Sequence, residues 1–248
     1  MNTTWLEKKN SDSLIIFFNG WGMDEHSVSH LKNDEYDILM FNDYRDFDDK
    51  LTKDDIAYIS GHKKIYLIAW SMGVWVAYKS ISSSHFSSLN FDKLIAFNGT
   101  LLPIDNNYGI PEKGYILTEK GIKSKGMDKF VMRMFNNNNY RKLFKQYLPQ
   151  RSLDEQIAEL VDIRETYTKT PAINYFNEIN NILWNEVYIS KDDMIFPYNN
   201  QVRFWDKYNK SNYQNDKFKR IELQTEGHYP FFFFKSWKNI IEDGNSKD

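Results

Sequence analysis

Short, uninterrupted apolar runs separated by helix-length stretches constrain the fold of this chain more than any single residue does. Leu14-Ile15-Ile16-Phe17-Phe18 stops at an Asn19-Gly20 turn, and residues 37–41, 65–69 and 93–97 repeat the pattern. Residues 186–189 and 218–223 resume it much later. A strand that is apolar at nearly every position, rather than at every second one, is buried on both faces, as in a parallel sheet. Between these runs, residues 25–31, 54–59, 72–82 and 198–208 have the length and composition of helices. The alternation predicts an α/β fold: a mostly parallel sheet covered by helices on both faces.

The rhythm breaks between Pro111 and Trp184. No strand pattern is legible there, and residues 128–135, 141–147 and 153–167 read as helices. Ser152 stands as an N-cap with Glu155 three positions on, the spacing of a capping box. Residues 111–184 are therefore expected to form a helical cap inserted into one core, made of residues 1–110 and 185–248. Charge concentrates in the same interval. From Lys113 to Arg151 there are ten basic residues against two acids, Glu119 and Asp128, a net of about +8. The whole chain is at −2, so the remainder carries about −10. Such an asymmetry raises the local potential and steers anionic partners.

Composition excludes several classes. At 248 residues the chain is long enough for one large core, and 41% hydrophobic with 17% aromatic residues is incompatible with disorder. There is no cysteine, so disulfides and thiolate metal sites are out. Residues 1–9 lack the charged-then-apolar pattern of a leader, and no apolar run approaches the roughly 20 residues that span a bilayer. A soluble cytoplasmic protein is the expectation. The acidic remainder and the lack of a recognition motif argue against a nucleic-acid module.

Ala69-Trp70-Ser71-Met72-Gly73 joins a strand to a helix. Strand, sharp turn with a central serine, then helix is the layout of a nucleophile elbow, here with alanine for the first glycine of G-x-S-x-G. The residues two before and two after the serine must be small, as Ala69 and Gly73 are. In that geometry Ser71 faces a pocket and the Met72 N–H lies at a helix N-terminus, placed for an oxyanion. The alternative is a serine that merely caps the helix. Asn19-Gly20-Trp21-Gly22 follows the first strand of the parallel pattern, either as a plain turn or as the carrier of a second oxyanion donor. Lys191-Asp192-Asp193 follows the strand at 186–189, so either acid lies on the carboxyl edge of the sheet, as an orienting acid or a helix cap. Gln224-Thr225-Glu226-Gly227-His228 follows the last strand. Serine, acid and histidine thus occur in the order of an acyl-transfer triad on this kind of sheet.

Together these segments resemble the BioG family. The resemblance rests on residues 18–23 (Phe-Asn-Gly-Trp-Gly-Met), Ala69 to Gly73, Phe97-Asn98-Gly99-Thr100 with Pro103-Ile104-Asp105 and Tyr108-Gly109-Ile110-Pro111, Asp193-Met194-Ile195-Phe196-Pro197 and Gly227-His228-Tyr229-Pro230-Phe231. It runs from about Leu14 to Phe233. Members are α/β-hydrolases that act as pimeloyl-acyl-carrier-protein methyl ester esterases in biotin synthesis. The resemblance implies the α/β-hydrolase fold, Ser71 as nucleophile, His228 as base and then acid, and Asp193 as the orienting acid. Asp193 is favoured over Asp192 because the family places its acid four residues before a proline, here Pro197. The Trp21 and Met72 backbone N–H groups are the implied oxyanion hole. No metal or organic cofactor is implied.

The implied partner is an acyl carrier protein bearing a pimeloyl methyl ester, with no nucleic acid and no membrane. Carrier proteins are acidic, so a basic cap suits one through encounter rate. Arg133, Arg141 and Arg151 are the candidate contacts, since guanidinium binds carboxylates and phosphates bidentately. The alternative is an ordinary solvated face. Two other functions stay open: a general carboxylesterase for small acyl esters, and a non-catalytic binding protein that keeps the α/β-hydrolase pocket.

Overall fold

The computed structural model describes residues 1–83, 85–170, 184–212, 218–224 and 227–242. Every expected apolar run becomes a strand, to within a residue at each end. These are β2 (Ser13–Phe18), β3 (Asp37–Asn42), β4 (Lys64–Trp70), β5 (Lys93–Phe97), β6 (Glu186–Ser190) and β7 (Lys219–Leu223). With β1 (Asn2–Glu7) they form one sheet in the order β1-β3-β2-β4-β5-β6-β7. All neighbours pair parallel except β1, which runs antiparallel to β3 at one edge. β1 is half-exposed and mixes Thr3 and Thr4 with Trp5 and Leu6, so it carries no continuous apolar signal. In contrast, every residue of β3 and of Leu14 to Phe18 is buried. Because six strands share a direction, the chain segments after β2, β4, β6 and β7 all emerge on one edge.

Helix α1 (Lys53–Ser60) opens on a capping box between Thr52 and Asp55. Helix α2 (Met72–Ser83) is apolar on most faces, with Val74, Trp75, Val76 and Ala77 buried, which suits a helix packed under the sheet edge. Four helices follow β5: α3 (Glu112–Lys125), α4 (Asp128–Met134), α5 (Asn138–Phe144) and α6 (Leu153–Lys169). The Ser152–Glu155 capping box at the start of α6 is present in both directions. Residues 171–183, the end of the expected insert, lie outside the described residues, as do Thr225 and Glu226 before His228. Helix α7 (Tyr198–Asn212) precedes β7, and α8 (Trp237–Glu242) follows it.

Some local expectations are corrected. Residues 25–31 form only a 3-10 turn, Glu25–Val28, because Leu31 N closes back on Val28 O and Lys32 N bonds to Lys235 O, pulling the chain out of helical register. Helix α5 begins three residues early, since the Asn137 side chain accepts from Asn139 N and caps it there. Helix α3 was not legible: Gly114 and Gly121 break its pattern, yet its Tyr115 and Ile122 are buried. No helix among the described residues is long and apolar enough to cross a membrane.

Candidate active site

Ser71 sits on the turn between β4 and α2 with φ of +59°, a left-handed conformation that costs a non-glycine residue about 1–2 kcal/mol. Close packing holds it there. A Cβ at Gly73 would lie 2.4 Å from Phe18 O, and one at Gly99 would lie 2.4 Å from Ser71 O, so both positions must be bare backbone. Ala69 is wedged in register between Phe18 and Ala96. The strand-turn-helix expectation for this pentapeptide is met, and the serine is oriented by strain that its neighbours impose.

The chain segments after β6 and β7 bring the other expected residues to the same point. Ser71 Oγ lies 2.8 Å from His228 Nε2, and His228 Nδ1 lies 2.8 Å from Asp193 Oδ2. A carboxylate only accepts, so Nδ1 carries the proton and Nε2 is free to accept from the serine. Asp193 Oδ1 takes the backbone N–H groups of Ile195 and Phe196, while Oδ2 also accepts from Gln201 Nε2 at 3.2 Å. His228 and Asp193 are buried. Asp192 is exposed and contributes only its carbonyl, to Asn136 Nδ2.

Two residues that motif reasoning gave no role fix the histidine. Trp70 Nε1 and Asn98 Nδ2 both donate to His228 O, at 3.1 and 2.8 Å. Asn98 also bonds Ser190 in both directions and so staples the ends of β5 and β6 to the histidine loop. It has φ of +44°, which asparagine tolerates better than most residues. Its place in the Phe97-Asn98-Gly99 motif was the available signal; its partners are distant in sequence.

The loop after β2 accounts for nearly all its backbone donors. Asn19 N bonds Phe41 O, Gly20 N bonds Asn19 Oδ1, Gly22 N bonds Glu159 Oε2 and Met23 N bonds Gly20 O. Trp21 N is left without a partner among the described residues, as is Met72 N at the start of α2. Both residues line a cavity that also contains Ser71 and His228. A buried N–H without an acceptor is uncommon, and here two residues that line one cavity each carry one. The cavity wall is apolar, from Ile110, Tyr115, Phe130, Leu160 and Ile195, with Thr118 and Arg133 as its further polar groups.

The three arginines part company. Arg133 is half-buried at the cavity wall, donating to Thr118 Oγ1 and to Met194 O. Burial lowers its pKa, opposed by the charge of Asp193, and no carboxylate among the described residues pairs with it. Arg141 lies partly exposed on α5, bonded to Phe135 O and Asn138 Oδ1. Arg151 departs from the expectation of a surface contact. Its side chain is 8% exposed and forms ion pairs with Asp43 and Glu159, so the fold has drawn its charge inward. All seven lysines between Lys113 and Lys145 are exposed. The carboxylate and imidazole atoms of Asp24, Glu25 and His26 are spaced for a cation, but Asp24 already accepts from His26 N and Gln150 N.

A mostly parallel sheet with a serine on the β4–α2 turn, hydrogen-bonded to a histidine after the last strand, defines an α/β-hydrolase. The wider fold agrees: the chain aligns with the 2-hydroxy-6-oxo-6-phenylhexa-2,4-dienoate hydrolase BphD of Rhodococcus sp. strain RHA1 at a TM-score of 0.58 and 12% identity, over 96% of this chain and 90% of that one. The family model for pimeloyl-ACP methyl esterase BioG matches residues 1–240, and the chain belongs to that family of carboxylic ester hydrolases. The crystal structure of BioG from Haemophilus influenzae superposes with a TM-score of 0.78 at 27% identity, covering 96% of this chain and 98% of that one. The chain is also 35% identical over 196 residues to a malonyl-[acyl-carrier protein] O-methyltransferase of Bacteroides fragilis (strain 638R). That match covers 78% of this chain and 36% of the relative, so the chain spans about a third of the relative's length.

Proposed function

We propose that this chain hydrolyses the methyl ester of a pimeloyl group carried on an acyl carrier protein, through an acyl-enzyme on Ser71. The observation that carries the reading is the unbroken hydrogen-bond line from Ser71 Oγ through His228 to Asp193, both links at 2.8 Å. Ser71 Oγ attacks the ester carbonyl carbon and passes its proton to His228 Nε2. The carbonyl oxygen becomes an oxyanion, met by the Trp21 and Met72 N–H groups. On collapse the C–O bond to the methoxy group breaks, and Nε2 returns the proton to release methanol. Water, deprotonated by the same nitrogen, then attacks the acyl-enzyme and frees Ser71. Asp193 keeps the imidazole in one tautomer and stabilises its cation.

Helices α3 to α6 serve as a cap over the sheet core, leaving an apolar cavity for the acyl chain. The seven exposed lysines and Arg141 offer an acidic carrier a positive face. Arg133, a half-buried cation without a carboxylate partner among the described residues at the cavity wall, suits a carbonyl group of the carried acyl ester. Arg151 is set aside as a contact. The Bacteroides relative's name describes O-methylation of a carrier-bound malonyl group, chemistry that makes the kind of ester proposed here as substrate.

The test compares a carrier-linked pimeloyl methyl ester with p-nitrophenyl butyrate. Wild type releases methanol from the former, and Ser71→Ala loses both activities and its labelling by a fluorophosphonate. Combined Arg141→Glu, Lys142→Glu and Lys145→Glu lowers turnover of the carrier-linked ester at least tenfold and leaves the small ester within about twofold. Equal loss on both substrates refutes docking on this face, and an unlabelled Ser71 in wild type refutes the nucleophile.

A further inference from the structure

The loop that carries the Trp21 N–H has glycine on either side of it, and the buried Trp21 ring packs edge-on against Phe130. Helix α6 adds hydrogen bonds that restrain its backbone. The Trp21 indole donates to Gln156 O at 2.8 Å, Gln156 Nε2 donates to Gly22 O at 2.8 Å, and Glu159 Oε2 accepts from Gly22 N at 3.1 Å. Gly22, at φ of +74°, is thus held through both its N–H and its carbonyl by one helix. The second oxygen of Glu159 accepts from Tyr44 N at 3.1 Å, and the Tyr44 hydroxyl donates to Asn19 O at 2.6 Å. One carboxylate therefore ties the loops after β2 and β3 to α6.

That carboxylate is fully buried. Its charge is met by Arg151, which also pairs with Asp43. Burying an ion pair carries a desolvation cost that apolar packing of the same volume avoids, so stability alone is a weak reason for Glu159 to be there. Its hydrogen bonds supply a better one. They orient the peptide next to the one whose N–H faces the oxyanion, and a donor contributes to catalysis only when aimed at the charge that develops.

We propose that Glu159, with Gln156, is a positioning residue for the oxyanion hole, setting the Trp21 N–H from the helical insert so that the ester-cleaving centre is complete only while α6 is docked on the loop after β2. This rests on the reading of Ser71 and His228 as a serine esterase centre. Neither residue touches substrate; both act through Trp21 and Gly22.

The experiment uses the full chain with Glu159→Gln and Gln156→Ala, assayed on p-nitrophenyl butyrate and against an alkyl trifluoromethyl ketone, whose adduct with Ser71 places an oxyanion in the hole. Glutamine has one acceptor oxygen where the two oxygens of Glu159 each serve a backbone N–H, of Gly22 and of Tyr44, so one of them loses its partner. Expected is a fall in kcat of about 10- to 100-fold, below the roughly 100- to 1000-fold of deleting a donor. KM stays within about twofold, and ketone affinity weakens by the same factor as kcat. Gln156→Ala keeps the buried ion pair, so it carries the test if Glu159→Gln fails to fold by circular dichroism. Folded variants with kcat and ketone affinity within twofold of wild type overturn the proposal, as does a loss in which KM and kcat both track the folded fraction. Wild type that neither turns over the ester nor binds the ketone overturns the esterase reading itself, and this inference with it.

Discussion

Replacing Gly73 by alanine adds one methyl group at the tightest point of the elbow. Its Cβ would lie 2.4 Å from Phe18 O and 2.6 Å from Asn19 O, about 1 Å inside ordinary contact. Neither neighbour is a flexible side-chain end; both are backbone at the end of β2 and the start of the loop that carries Trp21. Relief therefore means pushing that loop away from α2, which separates the Trp21 and Met72 N–H groups. Overpacking of this kind costs about 1–3 kcal/mol. At roughly 2–4 °C per kcal/mol for a chain of this size, Tm drops by about 2–12 °C. A shift of about 1 Å in a catalytic group costs on the order of 100-fold in rate. Expected is a kcat/KM on p-nitrophenyl butyrate about 100-fold below wild type, measured well below the lowered Tm so that unfolding is not the cause. Gly121→Ala is the control: its Cβ meets nothing within 4 Å inside α3, so it stabilises by about 0.5–1 kcal/mol and leaves activity unchanged. A Gly73→Ala variant with unaltered Tm and kcat/KM within threefold of wild type would refute the argument that contact at Gly73 sets the elbow.

Two further outcomes follow from the charges. Arg151→Met leaves the carboxylates of Glu159 and Asp43 without this partner, and urea denaturation should show a loss of about 3–5 kcal/mol. The ratio of turnover on carrier-linked to small ester should not change, and a selective loss on the carrier-linked ester would return Arg151 to the docking surface. Acid should destabilise the fold in two stages. Burial holds the His30 imidazole below its usual range of about 6.5, so the folded state resists protonation there and stability begins to fall as pH drops past that value. Burial alone would raise Asp43, but hydrogen bonds from Arg45 and the charge of Arg151 hold it below the usual carboxylate value, and Tyr58 and Lys9 do the same for Asp37. Their contribution is present above the unfolded value near 3.8 and is lost as pH falls through the lower folded values. Thermal melts from pH 7 to pH 2.5 should show both declines, with the second reduced in Asp43→Asn; a Tm independent of pH below 5 would contradict the assignment.

The parallel core was legible because full burial on both faces forces continuous apolar strands, and this signal needs no partner to be read. β1 escaped for the converse reason: an edge strand with one covered face can hold Thr3 and Thr4 beside Trp5. Helix α3 escaped because Gly114 and Gly121 weaken a helical pattern that Tyr115 and Ile122 nevertheless anchor by burial. Among candidate site residues, Ser71, His228 and an acid at Asp192 or Asp193 were legible because strand ends and chain order are properties of the sequence. The family resemblance favoured Asp193, which the structure places 2.8 Å from His228. Arg151 was misread as a surface group because charge can be counted along a sequence while its burial cannot.

What the sequence determined by itself is the sheet, the sharp turn at Ser71 and the set of groups on the carboxyl edge, since each follows from local spacing of apolar, small and polar residues. What only the tertiary structure decided is how those groups are aimed. Asn98 and Trp70 hold the histidine loop from 130 and 158 residues away, and Glu159 holds the Trp21 loop from 137. These bonds depend on closure of the chain over distances at which residue spacing carries no information, because a hydrogen bond is set by ångströms in space and not by separation in sequence.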